Sequence, residues 1–458
     1  MKSMVRLSCV LFLAFLLLEF TFTPARGANF GLVADVPIPG WTNVPGTGIT
    51  NASFDLLSFD AAKNIMYVAD RPNGGVTAIN TVNNTVIGTI HVPQPCGLGT
   101  AAAQCVSGVQ VAPNVAPGVT ELIATDRGTG TTTPGCGGVA CARVLVYNIS
   151  NVTPANIGTL TPTATVNLTN ALATDELTYD PINKRAYVNN TNNGGDPMGR
   201  YFTTVIDVNP ASATFGQVLG QIPITTAAQG APEQPRFDPV DCPGGTPGTG
   251  CIYSTTDGNN TVVRIDPNFP LNPTNPSLNA GAITQTFGPI AGCGGVNGID
   301  INPANNIALL GCSPGPQTLM NLTTGAIVNQ FTGGPNATDV LAFDPNLNGG
   351  TWFTASSGNT NSGLGCPASA ATPTQFPVLG IFTLTSATQV CSGQGSHGLG
   401  VDTNNNTVYV PAGVFPANGA VLPAGVLVFG IPEPSSLLLM AFGLIFVVLY
   451  AHRRQVQS

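Results

Sequence analysis

The chain has 458 residues, of which only 8% are charged, and its 14 Lys and Arg against 22 Asp and Glu leave a net charge of −8. An acidic chain without basic runs lacks the electrostatic footprint of a nucleic-acid or anionic-membrane binder, so no nucleic-acid partner is expected. Abundant Asn, Thr, Gly and Pro with little Lys or Glu favour strands and turns over helices.

In chain order, residues 1–27 come first: Lys2 and Arg6 precede the apolar run "VLFLAFLLLEFTF", and Ala25 and Gly27 stand at the −3 and −1 positions of a cleavage site. That layout predicts a secretory signal peptide. Residues 28–430 form the body. With the terminal signals set aside, nine basic residues face twenty acidic ones there, a net of −11.

The body repeats. An apolar strand ending in Asp-Pro or a relative is followed by a short turn, a strand often containing Tyr-Val, and a third strand. The clearest copies are "LSFDAAKNIMYVAD", "LTYDPINKRAYVNN", "IDINPANNIALLGC" and "LGVDTNNNTVYVPA". Seven anchors, Asp60, Ala112, Asp180, Asp238, Asn302, Asp344 and Asp402, are spaced by 52, 68, 58, 64, 42 and 58 residues. These spacings predict an all-β, seven-bladed propeller with four strands per blade and loop insertions. Fourth strands are visible as "VIGTIHVP" at 86–93 and "VLGQIPIT" at 218–225, but none is left after the seventh third strand at 425–430. "LVADVPIP" at 32–39 matches 86–93 position by position, so an N-terminal strand is expected to complete the last blade and remove a free sheet edge.

Ten cysteines lie in the body: Cys96, Cys105, Cys136, Cys141, Cys242, Cys251, Cys293, Cys312, Cys366 and Cys391. An even count in an exported chain points to disulfides. Sequential pairing is the expectation, because Cys293 precedes a first strand and Cys312 follows the second, opposite one another across a hairpin. His91, on a fourth strand, is expected on the surface.

After the last strand comes "IPEPSSLLLMAFGLIFVVLYAHRRQVQS" from residue 431: Pro432-Glu433-Pro434, an apolar stretch Leu437 to Ala451, then Arg453 and Arg454. The apolar stretch is at the short end for a membrane-spanning helix, with the arginines holding its end in the cytoplasm. This tail resembles the PEP-CTERM sorting signal of Gram-negative bacteria. The resemblance implies processing by an exosortase, transient anchoring in the inner membrane and release to the cell surface or matrix. Retention as a permanent anchor is the other reading.

"YVAD", "YVNN" and "YVPA" stand where YVTN-type propellers have their namesake strand, and "TDELTYDP", "PEQPRFDP", "CGGVNGIDINP" and "GSHGLGVD" resemble the gluconolactonase and senescence-marker propellers. Such a likeness bears on fold more than on function.

Five residues before each anchor stand Asp55, Ser107, Asp175, Glu233, Asn297, Asp339 and His397, and like-placed residues of seven blades converge at one mouth of the channel. Carboxylates brought together repel unless protonated or holding a cation, and oxygen ligands of this kind suit Ca²⁺ or Mg²⁺. The lactonase resemblance implies a divalent metal on Asp175, Glu233, Asn297 and Asp339, with Asp55 and His397 as further candidates and His397 as the one candidate general base. Short polar residues that cap the turn entering each first strand are the alternative. Two functions therefore stand open: a non-enzymatic surface or matrix scaffold, with an exopolysaccharide or matrix component as partner, and a metal-dependent lactonase- or esterase-like hydrolase.

Overall fold

The computed structural model describes residues 30–41, 56–71, 73–93, 106–127, 142–168, 171, 173–192, 199–226, 229–360, 366, 377–393, 395–413, 415–417, 420–422 and 424–431. The expected signal peptide, the tail from Pro432, Asp55 and the cysteines at 96, 105, 136 and 141 lie outside the described residues. The chain divides into two compact units, one of Ala34–Val428 and one of Met1–Val33 and Phe429–Ser458. The larger unit carries the propeller.

Seven four-stranded sheets succeed one another along the chain, each meandering from its first to its fourth strand. Blade 1 is Leu57–Asp60, Ile65–Asp70, Gly75–Asn80 and Thr85–His91. The first strands of blades 2 to 7 are Val106–Ala116, Ala173–Asp180, Pro232–Asp238, Val296–Asn302, Leu341–Asp344 and Gly400–Asp402. Blade 7 has the order predicted for a closed ring: its fourth place is taken by Gly31–Pro37, paired to Gly425–Gly430. A small hairpin, Phe415–Ala417 with Ala420–Leu422, is inserted between its second and third strands.

The anchor residues explain why the repeat turns where it does. Asp180 Oδ1 accepts from the amides of Ile182 and Asn183 at 2.8 and 3.1 Å, and Asp402 Oδ1 accepts from Asn404 N at 2.9 Å. Asp60 and Asp344 each do the same two residues on, at 3.1 and 2.9 Å. Such side-chain-to-backbone bonds compete with strand continuation and fix a turn. Four residues after the anchor the backbone is left-handed, at Asn64 (φ 54°), Lys184 (57°), Asn306 (52°), Asn348 (53°) and Asn406 (51°). Asn tolerates that region best of the non-glycine residues, which is why the turns read "AAKN", "PANN" and "TNNN".

The core lies between the blades. The Tyr of the second strand is buried at Tyr67, Tyr187, Tyr253 and Tyr409. Tyr187 and Tyr253 donate their hydroxyls to Pro267 O and Leu322 O of the following blade, both at 3.3 Å, and Tyr409 donates to Asn84 Oδ1 at 2.6 Å across the closure. An aromatic body with one polar end suits this place, since the ring fills the gap and the hydroxyl finds a backbone partner. At the closure, Val36, Ile38 and Trp41 pack with Leu57, Met66, Val68, Val426 and Val428 in one cluster. A Cβ on Gly425 would stand 2.6 Å from Val36 O, so glycine is what lets the closing strand approach. Trp41 Nε1 then donates to the buried Asp70 Oδ1 at 2.8 Å, tying the closing segment to blade 1. First strands 1 and 7 also touch directly, through a parallel bridge between Leu56 and Leu399.

Among the described residues three sequential disulfides are present, Cys242–Cys251, Cys293–Cys312 and Cys366–Cys391, with Cα separations of 4.9, 5.1 and 5.4 Å. His91 is exposed at the end of the outermost strand of blade 1, as expected.

Candidate functional site at the propeller mouth

Strand direction gives the propeller two unlike faces. First strands begin at the mouth and end at the anchor turns; second strands return. Ser107, Asp175, Glu233 and Asn297 fall within the opening residues of their first strands, while Asp339 and His397 lie just ahead of theirs. The six described positions therefore share the mouth side.

What holds this position in place is its main chain. The carbonyl of Asp175 accepts from Thr125 Oγ1 at 2.8 Å, that of Asn297 from Thr255 Oγ1 at 3.0 Å, and that of Glu233 from Asn189 Nδ2, each donor belonging to the preceding blade. The side chain is left free to vary, and it does.

The side chains come together as local pairs. Asp175 Oδ2 meets Arg127 Nη2 at 2.7 Å, and Arg127 Nε also donates to Thr174 O at 3.2 Å. His397 Nδ1 meets Asp339 Oδ2 at 2.5 Å, which leaves the Nε2 side of the imidazole as the face not used by Asp339. Asp257, at the end of the second strand of blade 4, joins this group: burial raises its carboxyl above the usual range, and the nearby charge of Asp339 raises it further. Asp257 Oδ1 and Asn297 Oδ1 both crowd Gly295, where a Cβ would stand 2.2 and 3.1 Å from them, so only glycine fits. Asn297 Oδ1 is buried and has no hydrogen-bond partner. Among the described residues no three His, Cys, Asp or Glu side chains form a metal-holding group.

Just inside the mouth neighbouring first strands are linked through one buried side chain. Gln234, fully buried, accepts from Ile299 N at 2.9 Å and from Leu341 N at 3.1 Å and donates to Leu341 O at 3.0 Å, so one side chain of blade 4 bonds the first strands of blades 5 and 6. Arg236, one step deeper, donates to Leu341 O at 2.8 Å and pairs with Asp300 Oδ1 at 3.3 Å. Burial raises the Asp300 carboxyl, and the Arg236 guanidinium opposes that rise. The same repeat position, two before the anchor, links neighbours elsewhere: Ser58 Oγ accepts from Val111 N at 2.8 Å and Thr178 Oγ1 from Phe237 N at 3.2 Å.

Arg127, Gln234, Arg236, Asp257 and Asp300 escaped the sequence reading, which followed one repeat position only. The signal was there in the scarcity of cations: with nine basic residues in the body, each Arg beside a repeat anchor is a candidate partner for a carboxylate of the next blade.

Residues 430–454 match the PEP-CTERM protein-sorting motif. The motif implies an exported chain with a membrane-anchored sorting signal of Gram-negative type, processed by an exosortase. No curated protein matches the chain. Among solved structures, a chain of the "Crystal Structure of Mitotic Checkpoint Complex" is similar over 88% of this chain and 93% of its own, with a TM-score of 0.53 and 12% identity. That likeness concerns the fold alone.

Proposed function

We propose that the propeller is an exported binding scaffold whose mouth engages a neutral, hydroxyl-rich matrix glycan. The observation that carries this reading is Gln234, which ties the first strands of blades 4, 5 and 6 together beneath the mouth and so holds the rim residues of those blades in fixed relation. On the rim Asp175 is paired with Arg127 and Asp339 with His397, and carboxylate and amide oxygens of this kind accept hydroxyl donors. The body's net charge of −11 disfavours an anionic polymer. On this reading residues 1–27 are a cleaved signal, 28–430 the propeller and 431–458 the removable tail, and the buried interblade tyrosines support a place near the YVTN-type and gluconolactonase-like propellers.

Isothermal titration against neutral and acidic polysaccharides tests the proposal. Binding of a neutral glycan that Glu233→Ala and Asn297→Ala weaken at least tenfold is the expected result; binding indifferent to both variants removes the mouth as the site.

One observation favours a second reading. The unpartnered Asn297 Oδ1 stands beside the Asp257 carboxylate, and hard oxygen acceptors of this kind suit Ca²⁺ or Mg²⁺. A divalent cation held there with Asp339, and with Asp175 and Glu233 as the resemblance implies, would supply Lewis acidity for a lactonase- or esterase-like hydrolysis, with His397 positioned as base. Stoichiometric metal in the purified protein, lost in Asp339→Ala, would establish it; metal-free protein with unchanged variants would end it.

A further inference from the structure

A groove of about 410 Å³ lies on the outer edge of the propeller, where blade 1 meets blade 2. One wall is the outermost strand of blade 1, from Ile87 to His91. The other is the short 3₁₀ turn Ile157–Thr159, in the connection between the third and fourth strands of blade 2, and Pro39 and Asn73 complete the lining. The packing fixes this shape. A Cβ on Gly88 would stand 2.5 Å from Ile157 Cγ2, so the turn seats directly on the strand, and Ile157 is buried in the apolar cluster shared by the two blades. Asn156 braces the turn by accepting from Thr153 N at 2.7 Å and donating to Asn151 O at 2.9 Å.

No Asp, Glu, Lys or Arg lines the groove, and its polar atoms are mostly acceptors. Beneath the strand, Asp70 accepts from Trp41 Nε1, Asn73 N, Asn73 Nδ2 and Thr77 Oγ1. Thr77 gives its one proton to Asp70 at 2.6 Å, so in the 2.8 Å contact between Thr77 and Thr89 the donor is Thr89. The Thr89 hydroxyl can then only accept from a ligand. Asn73 Nδ2 uses both protons, on Pro39 O at 2.9 Å and Asp70 Oδ2 at 2.8 Å, which leaves Asn73 Oδ1 as a further acceptor. Thr89 O faces the turn and is the nearest atom to a Cβ placed on Gly158, at 3.9 Å. The exposed His91 imidazole makes no hydrogen bond or ion pair among the described residues, so it can donate or accept as a ligand requires.

A concave site with apolar walls and a few placed polar atoms is the usual form of a small-ligand pocket. An anion finds no cationic side chain here, and a cation finds no carboxylate. The lining suits an uncharged ligand that donates hydrogen bonds and lays C–H faces on Pro39, Ile87, Pro154 and Ile157, as a sugar ring does. We propose that the groove is a second carbohydrate subsite, taking one sugar residue of a neutral glycan with its hydroxyls on Thr89 Oγ1, Asn73 Oδ1 and the His91 imidazole. The inference rests on the scaffold reading for its ligand class but not on the mouth as the site. Two subsites on one propeller hold a matrix chain with an avidity above that of either alone.

The test uses the full chain in detergent micelles with ¹³C-labelled histidine. The signals, assigned through His91→Ala and His397→Ala, separate the two sites, because His91 reports the groove and His397 the mouth. Maltose, cellobiose and lactose are titrated to millimolar concentration. A saturable shift of the His91 signal with at least one of them is expected, abolished by Gly158→Leu, whose side chain fills the groove from an open position. Thr89→Val, which keeps the shape and loses the acceptor, should weaken it about fivefold. A sugar that shifts His397 alone overturns the groove and leaves the mouth reading standing. Shifts at His91 alone uphold the groove and remove the mouth. Neither signal moving overturns both, and a His91 shift indifferent to Gly158→Leu and Thr89→Val overturns the groove as its source.

Discussion

Gln234 and Glu233 are neighbours in the chain with opposite duties. Gln234→Leu keeps the volume but leaves the amides of Ile299 and Leu341 buried without an acceptor. The expected loss is about 2–4 kcal/mol, read as a lower urea midpoint at unchanged slope. Glu233→Ala, whose role in the fold runs through its carbonyl, is expected to change stability by less than about 0.5 kcal/mol. Glu121 gives a pH signature. Buried at 1% exposure, with the Asp207 charge adding to the effect, its carboxyl is pushed up from 4.5 to about 8. Because the folded value lies above the unfolded one, the neutral acid's contribution is complete below pH 4.5 and is lost as pH rises through about 8. Thermal melts of the wild type should therefore fall between pH 5 and 9, while Glu121→Gln, which carries no titrating proton, should stay flatter. Curves that run parallel would show that Glu121 is not held neutral. At this scale the repeat offset located the mouth residues, since like positions of a propeller must converge. It missed their partners, because Arg127 and Gln234 belong to different repeat positions and meet the ring only through the third dimension.

Turns and staples decide matters at the level of the element. Removing the anchor carboxylate in Asp402→Ala frees the amides of Asn404 and Asn405 from their acceptor and is expected to cost about 1–2 kcal/mol, whereas Ala112 and Asn302 show that two blades do without a carboxylate there. The Cys293–Cys312 bridge closes a segment of 19 residues. Replacing both cysteines by alanine should lower stability by about 3 kcal/mol in denaturant titration. The strands themselves were legible because Tyr-Val alternation and Asp-Pro boundaries are local signals. The left-handed Asn four residues past the anchor was equally local, but it becomes meaningful only once the Asx-capped turn around it is seen.

On the scale of the molecule, closure is the decisive event. A chain beginning after Trp41 lacks the fourth strand of blade 7 and the indole donor to Asp70, and it exposes the Gly425–Gly430 edge. It is expected to self-associate in light scattering, as an unpaired edge invites. Trp41→Phe keeps the strand and loses one of the donors to Asp70, so it should remain monomeric with a loss of about 1–2 kcal/mol. Blade number, strand order, the terminal closure and the sorting motif follow from the sequence by itself, because repeats and short-range patterns are written along one dimension. Which carboxylates are paired, and that Gln234 links the first strands of blades 4, 5 and 6, were decided by the tertiary structure. Those properties depend on residues far apart in the chain whose proximity exists only after seven sheets have closed into a ring.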